Sequence, residues 1–99
     1  METIAVKNLR ASNVYNHREF VLGLGDIARI EKVPANEVSG RQKYRITFFT
    51  TRECYDVCDL SETEASRLMQ RLLDFARDEA RGETLTITIS PDEVVVKET

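Results

Sequence analysis

Residues 61–82 read SETEASRLMQRLLDFARDEARG and carry one helical period from end to end. Ser61 stands at an N-cap position, and Glu64, three residues on, completes a Ser-x-x-Glu capping box. In that motif the hydroxyl and the carboxylate each satisfy one orphan backbone N–H. Ala65, Leu68, Met69, Leu72, Leu73, Ala76 and Ala80 recur at spacings of three and four, and Phe75 widens their stripe. Arg67, Arg71, Asp74, Arg77, Asp78 and Arg81 fill the other side. This pattern predicts an amphipathic helix over about residues 62–81, with one apolar face against a core. Glu62 and Glu64 suit its positive end, Arg77 and Arg81 its negative end. Gly82 fits the left-handed position that stops such a helix.

On either side of the helix the period changes from 3.6 to 2. Gln42 to Thr50 and Cys54 to Leu60 alternate, with Thr50-Thr51-Arg52-Glu53 between them. A hairpin there sets Phe49 opposite Cys54 and gathers Tyr44, Ile46, Phe48, Tyr55 and Val57 on the core side. The other face collects Lys43, Arg45, Thr47, Phe49, Cys54, Asp56 and Cys58. After Gly82, Thr84 to Ile89 alternates again, Ser90-Pro91-Asp92-Glu93 suits a type I turn, and Val94 to Lys97 returns. Nearer the start, Glu2 to Leu9, Phe20 to Leu24 and Ala28 to Val33 read as strands, the last two joined at Gly25-Asp26-Ile27, and Pro34 to Arg41 as a surface loop. Residues 10–19 carry no clear period. The expected fold is α+β, in one domain over 1–99. It comprises an antiparallel sheet of five to seven strands, the helix of residues 62–81 on one face, and a C-terminal hairpin.

Composition bounds the function. A chain of 99 residues, 41% apolar, hides about 65% of its unfolded surface and supports a modest core without staples. The net charge of −3 argues against a general nucleic-acid or membrane binder. The charge is lopsided, with nine basic and six acidic residues over 1–53 against five and eleven over 54–99. The opening METIAVKNLR has no apolar core of a signal peptide, no segment is apolar enough to span a bilayer, and two Cys make no disulfide scaffold. These features together point to the cytoplasm.

The motifs that could carry chemistry are incomplete. Gly23-Leu24-Gly25-Asp26-Ile27-Ala28 matches G-x-G-x-x-A, but Pro34 would cut short the helix that dinucleotide binding needs. It reads as a bend between strands. Cys54 and Cys58 lack the further ligands of a zinc site and lie too far apart along a strand for a disulfide. His17 sits in a polar stretch with no nucleophile motif nearby. Asp78-Glu79, Asp92-Glu93 and Glu62/Glu64 each have a local structural role. No catalytic residue, metal site or cofactor is expected.

Two binding surfaces remain. Arg41, Lys43 and Arg45 share a strand face with Phe49, and cations beside an aromatic can hold a single strand of nucleic acid or another anion. The Val94 to Val96 strand, near the chain end, either forms a sheet edge or pairs with the N-terminal strand. The first expectation is a small non-catalytic protein acting through protein contacts, as a regulator, adaptor or inhibitor, and forming a two-fold dimer. The alternative is a weak binder of single-stranded nucleic acid or anionic ligands using Arg41, Lys43, Arg45 and Phe49.

Overall fold

The computed structural model describes residues 2–10, 18–77 and 83–99. Along the chain run β1 (Thr3–Asn8), β2 (Glu19–Gly23), a 3₁₀ turn (Leu24–Asp26), β3 (Ile27–Val38), β4 (Arg41–Thr50), β5 (Cys54–Leu60), α1 (Glu62–Arg77), β6 (Thr84–Ile89) and β7 (Val94–Glu98). The α+β class holds, but the single antiparallel sheet does not. The strands form a four-stranded sheet in the order β2-β1-β6-β7 and a three-stranded sheet in the order β3-β4-β5. The break falls at the 3₁₀ turn, after which the chain leaves β1's neighbour and starts the second sheet. Leu24 N–H bonds back to Glu2 O at 2.9 Å and anchors that turn beside β1. The pairing of β1 with β6 is parallel and the other pairings are antiparallel. Alternation has the same period in both kinds of ladder, so the sequence pattern could not separate them.

The two expected hairpins form. Ile46 pairs with Val57, Phe48 with Tyr55 and Phe49 with Cys54, in the register read from the sequence. The register then shifts before Tyr44 pairs with Leu60, and Asp59 takes a φ of 65°. This irregularity lets Val57 and Leu60, three residues apart, both enter the core. The segment from Pro34 to Arg41, expected as a loop, is instead strand. Ser39 (φ 51°) and Gly40 (φ 76°) make a two-residue turn with both central residues left-handed, the type I′ geometry of tight hairpins. Pro34 is tolerated because β3 is a sheet edge. The register shift between Pro34 and Glu37 is bridged by Gln42 Nε2, which donates to Ala35 O at 2.8 Å. Beyond Tyr44 no third strand among the described residues accompanies this pair, so its end forms a two-stranded arm.

Among the described residues the buried apolar side chains form one cluster. The larger sheet contributes Ile4, Val6, Phe20, Leu22, Leu85, Ile87 and Ile89, and the smaller one Ile46, Phe48, Val57 and Leu60. Phe20 joins the sheets: its ring meets Phe48 edge-on at 5.7 Å and stacks on Tyr55 at 5.0 Å. From α1 come Ala65, Leu68, Leu72 and Phe75. The buried stripe is narrower than its spacing suggested, since Leu73 is 37% exposed and Ala76 is also exposed. The helix touches β3 and β4 of the smaller sheet and β7 of the larger, and Met69 packs partly buried at the edge of the stripe. The capping box is formed, with Ser61 N–H donating to Glu64 Oε1 at 3.0 Å and Glu64 N–H to Ser61 Oγ at 3.2 Å. The expected last turn of the helix, Asp78 to Arg81, and its stop at Gly82 lie outside the described residues, as does His17. The described helix is not long and apolar enough to cross a membrane.

Candidate functional site

Strand β4 alternates two kinds of residue. Ile46 and Phe48 face the core, and Arg45, Thr47 and Phe49 face outward from the smaller sheet. The register brings Arg29, Glu31 and Val33 of β3 onto this outer face opposite Phe49, Thr47 and Arg45, and Cys54 and Asp56 of β5 from the other side. The Arg29 guanidinium carbon lies 4.0 Å from the centroid of the Phe49 ring, and Arg29 Nε bonds Glu31 Oε1 at 3.1 Å. Thr47 is 5% exposed and donates its hydroxyl to Asp56 Oδ1 at 2.7 Å. Arg45 is exposed. Burial, followed by the neighbouring Asp56, pushes the Cys58 thiol up, with Arg45 opposing. A thiol so placed is a poor nucleophile. Cys54 is exposed, and neither cysteine is in a disulfide.

Of the four residues singled out from the sequence, two share this face and two do not work with them. Arg45 and Phe49 belong to it. Arg41 lies on the projecting arm, opposite Val38. Lys43 lines a separate cleft of about 570 Å³, with Leu9, Arg10, Asp59, Glu64 and Asp92. Its Nζ is 4.0 Å from Asp59 Oδ1. The expected row of cations is therefore split among three settings, because the irregularity in β5 turns Asp59 toward Lys43 and the arm carries Arg41 past the third strand.

The cleft is built around Arg10, whose side chain is 8% exposed. Its guanidinium holds Glu64 in a bidentate pair, with Nη1 to Oε1 at 2.6 Å and Nη2 to Oε2 at 2.7 Å. Nε donates to Ser90 O at 2.8 Å and Nη1 also to Asp59 O at 3.0 Å. One side chain thus ties the end of β1 to the helix N-terminus, the end of β5 and the β6–β7 turn. The same pair, helped by Ser61, lowers the Glu64 carboxyl to about 2. Next to it Asn8, 1% exposed, accepts the Arg10 N–H at 3.0 Å and donates to Cys58 O at 3.3 Å. Ser61 and Glu64 are occupied as caps, and Arg10 as a clamp, so this cleft is a joint between elements.

Sequence reading missed Arg10 and Arg29. Arg10 followed a strand and preceded residues without a period, and its three partner segments lie far along the chain. Arg29 was within reach, because the Ser39-Gly40 dipeptide is a tight-turn signal that would have paired β3 with β4 and set Arg29 beside Phe49. The G-x-G-x-x-A match is a three-residue 3₁₀ turn followed by a strand, with no helix to meet a pyrophosphate.

Compared with protein-family models, with curated proteins and with solved structures, the chain matches none.

Proposed function

We propose that this protein acts without catalysis, by contact with another protein surface through the outer face of the β3–β4–β5 sheet. The observation that carries this reading is the interleaving of opposite charges around a half-buried aromatic. Arg29 and Arg45 alternate with Glu31 and Asp56, and Phe49 lies among them. Aromatic and arginine side chains supply much of the binding energy of protein interfaces, and paired charges fix their register. Mixed signs also make the face complementary to itself when turned about a two-fold axis. The first partner to test is therefore a second copy of the chain.

Nucleic acid is the weaker reading. A polyanion laid across Arg45 would meet Asp56 and Glu31, and a base could stack on Phe49 only by displacing Arg29.

Cys54 provides the test. It is exposed on this face, whereas Cys58 is half-buried with a raised thiol, so a maleimide photo-crosslinker attaches at Cys54. Irradiation of the labelled protein, alone and in extract of its host, yields one discrete adduct that Phe49→Asp or Arg45→Glu removes. Light scattering then shows whether that adduct is twice 11.3 kDa. Absence of any adduct overturns the reading. Salt-sensitive binding of a single-stranded oligonucleotide, lost in Arg45→Glu, replaces it with the alternative.

A further inference from the structure

The four-stranded sheet ends at β7, whose described neighbour is β6 alone. Thr84 and Thr99 exchange N–H···O bonds of 2.9 and 3.1 Å, and Ser90 N–H bonds Glu93 O at 2.9 Å. In an antiparallel ladder, bonded pairs alternate with non-bonded ones. Counting inward from both ends, Val95 and Lys97 turn their backbone groups toward β6, and Val94 and Val96 turn theirs toward the edge. The edge thus presents the N–H and C=O of two successive outward positions, the template that strand addition requires.

The side chains at those two positions are not on the open face of the sheet. Val94 and Val96 are half-buried and, with Leu68 of α1, line a groove of about 310 Å³ between helix and strand. Its helix wall runs Glu64, Arg67, Arg71, and its strand wall Asp92, Glu93, Val94, Val96. Both walls begin at an acidic end, because Arg10 ties Glu64 to Ser90 beside that turn. Farther along stand Arg67 and Arg71, both exposed and four residues apart. Neither makes an ion pair among the described residues. Like charges at that helical spacing weaken a helix. An anion lying in the groove would answer both.

We propose that this groove receives an extended acidic segment of a partner protein. The segment adds as a strand to the edge of β7. Every second side chain enters the groove, apolar ones over Leu68, Val94 and Val96 and carboxylates against Arg67 and Arg71. A second copy of β7 fits less well. Laid antiparallel about Val96, it sets a second Glu98 opposite Val94, beside Asp92 and Glu93, where like charges meet. The groove shares no residue with the outer face of the smaller sheet, so the two proposals stand or fall separately.

The probe is a fluorescein-labelled peptide of about eight residues, in which threonine alternates with valine or glutamate, beside a counterpart with lysine for glutamate. It is titrated into the full chain, and amide exchange is followed by NMR. The expected result has three parts. The glutamate peptide binds saturably and the lysine peptide does not. Amide exchange slows at Val94 and Val96 while Val95 and Lys97 keep their rates. The R67E/R71E variant, altered only at exposed helix positions, lowers affinity about tenfold or more, and Arg45→Glu leaves it unchanged. The proposal is overturned by an absence of binding, by equal binding of the lysine peptide, or by binding that leaves Val94 and Val96 exchange unaltered. It is equally overturned if the protein alone protects those two amides as its concentration rises, which assigns the edge to a second copy.

Discussion

Arg10 shows how much of the molecule one side chain can organise. Its guanidinium makes four hydrogen bonds, to a carboxylate and two carbonyls from three segments distant in sequence. Its arrangement makes stability depend on the charge of Glu64. The Glu64 carboxyl is lowered from 4.5 to about 2, first by the Arg10 hydrogen bonds, against the opposing cost of burial. A carboxyl lowered on folding adds stability that is complete above its unfolded pKa and is lost as pH falls through the folded one. Glu64→Gln should therefore cost about 1.5–3 kcal/mol at neutral pH, the worth of hydrogen bonds to a charged group. The gap between parent and variant should narrow from about pH 4.5 down toward 2. Urea melts at neutral pH and at about pH 3 check the sign. A gap that widens in acid would contradict the clamp.

At the scale of elements, α1 and the β3–β4 arm carry distinct tests. The helix buries Leu72 completely and leaves Leu73 37% exposed. Leu72→Ala should cost roughly 2–5 kcal/mol, while Leu73→Ala should cost well under half as much, because it leaves little cavity. Equal losses in denaturant melts would mean the buried seam lies elsewhere. In the arm, an added Cβ at Gly40 meets nothing within 4 Å, so crowding is not the issue. The φ of 76° is. Gly40→Ala should then cost about 1–2 kcal/mol for the left-handed conformation alone. The cross-strand signals in NMR between Val38 and Arg41 should weaken first, since that end has no third strand among the described residues. The same dipeptide that marks this turn was present in the sequence, yet Pro34 drew the segment toward a loop. Proline excludes a central strand but not an edge, and only the sheet order shows which one it is.

For the whole molecule, the decisive contact is the one between sheets. Phe20 bridges from β2 to Phe48 and Tyr55 and is 9% exposed. Phe20→Ala should destabilise by about 3–5 kcal/mol. It should also lower the cooperativity of unfolding, because it loosens the seam on which the two sheets depend. A thermal melt that keeps its sharpness and midpoint would show that the seam between the sheets does not depend on Phe20. The sequence by itself determined the helix start at Ser61, the Phe49–Cys54 register and the β6–β7 turn. Each rests on residues near one another in the chain, where capping, alternation and turn chemistry act directly. Tertiary structure alone decided the division into two sheets, the parallel β1–β6 pair, the Arg10–Glu64 clamp and the splitting of Arg41, Lys43 and Arg45. Those depend on contacts between residues far apart in the chain, and a period of 2 or 3.6 carries no information about which distant partner a strand or a charge will meet.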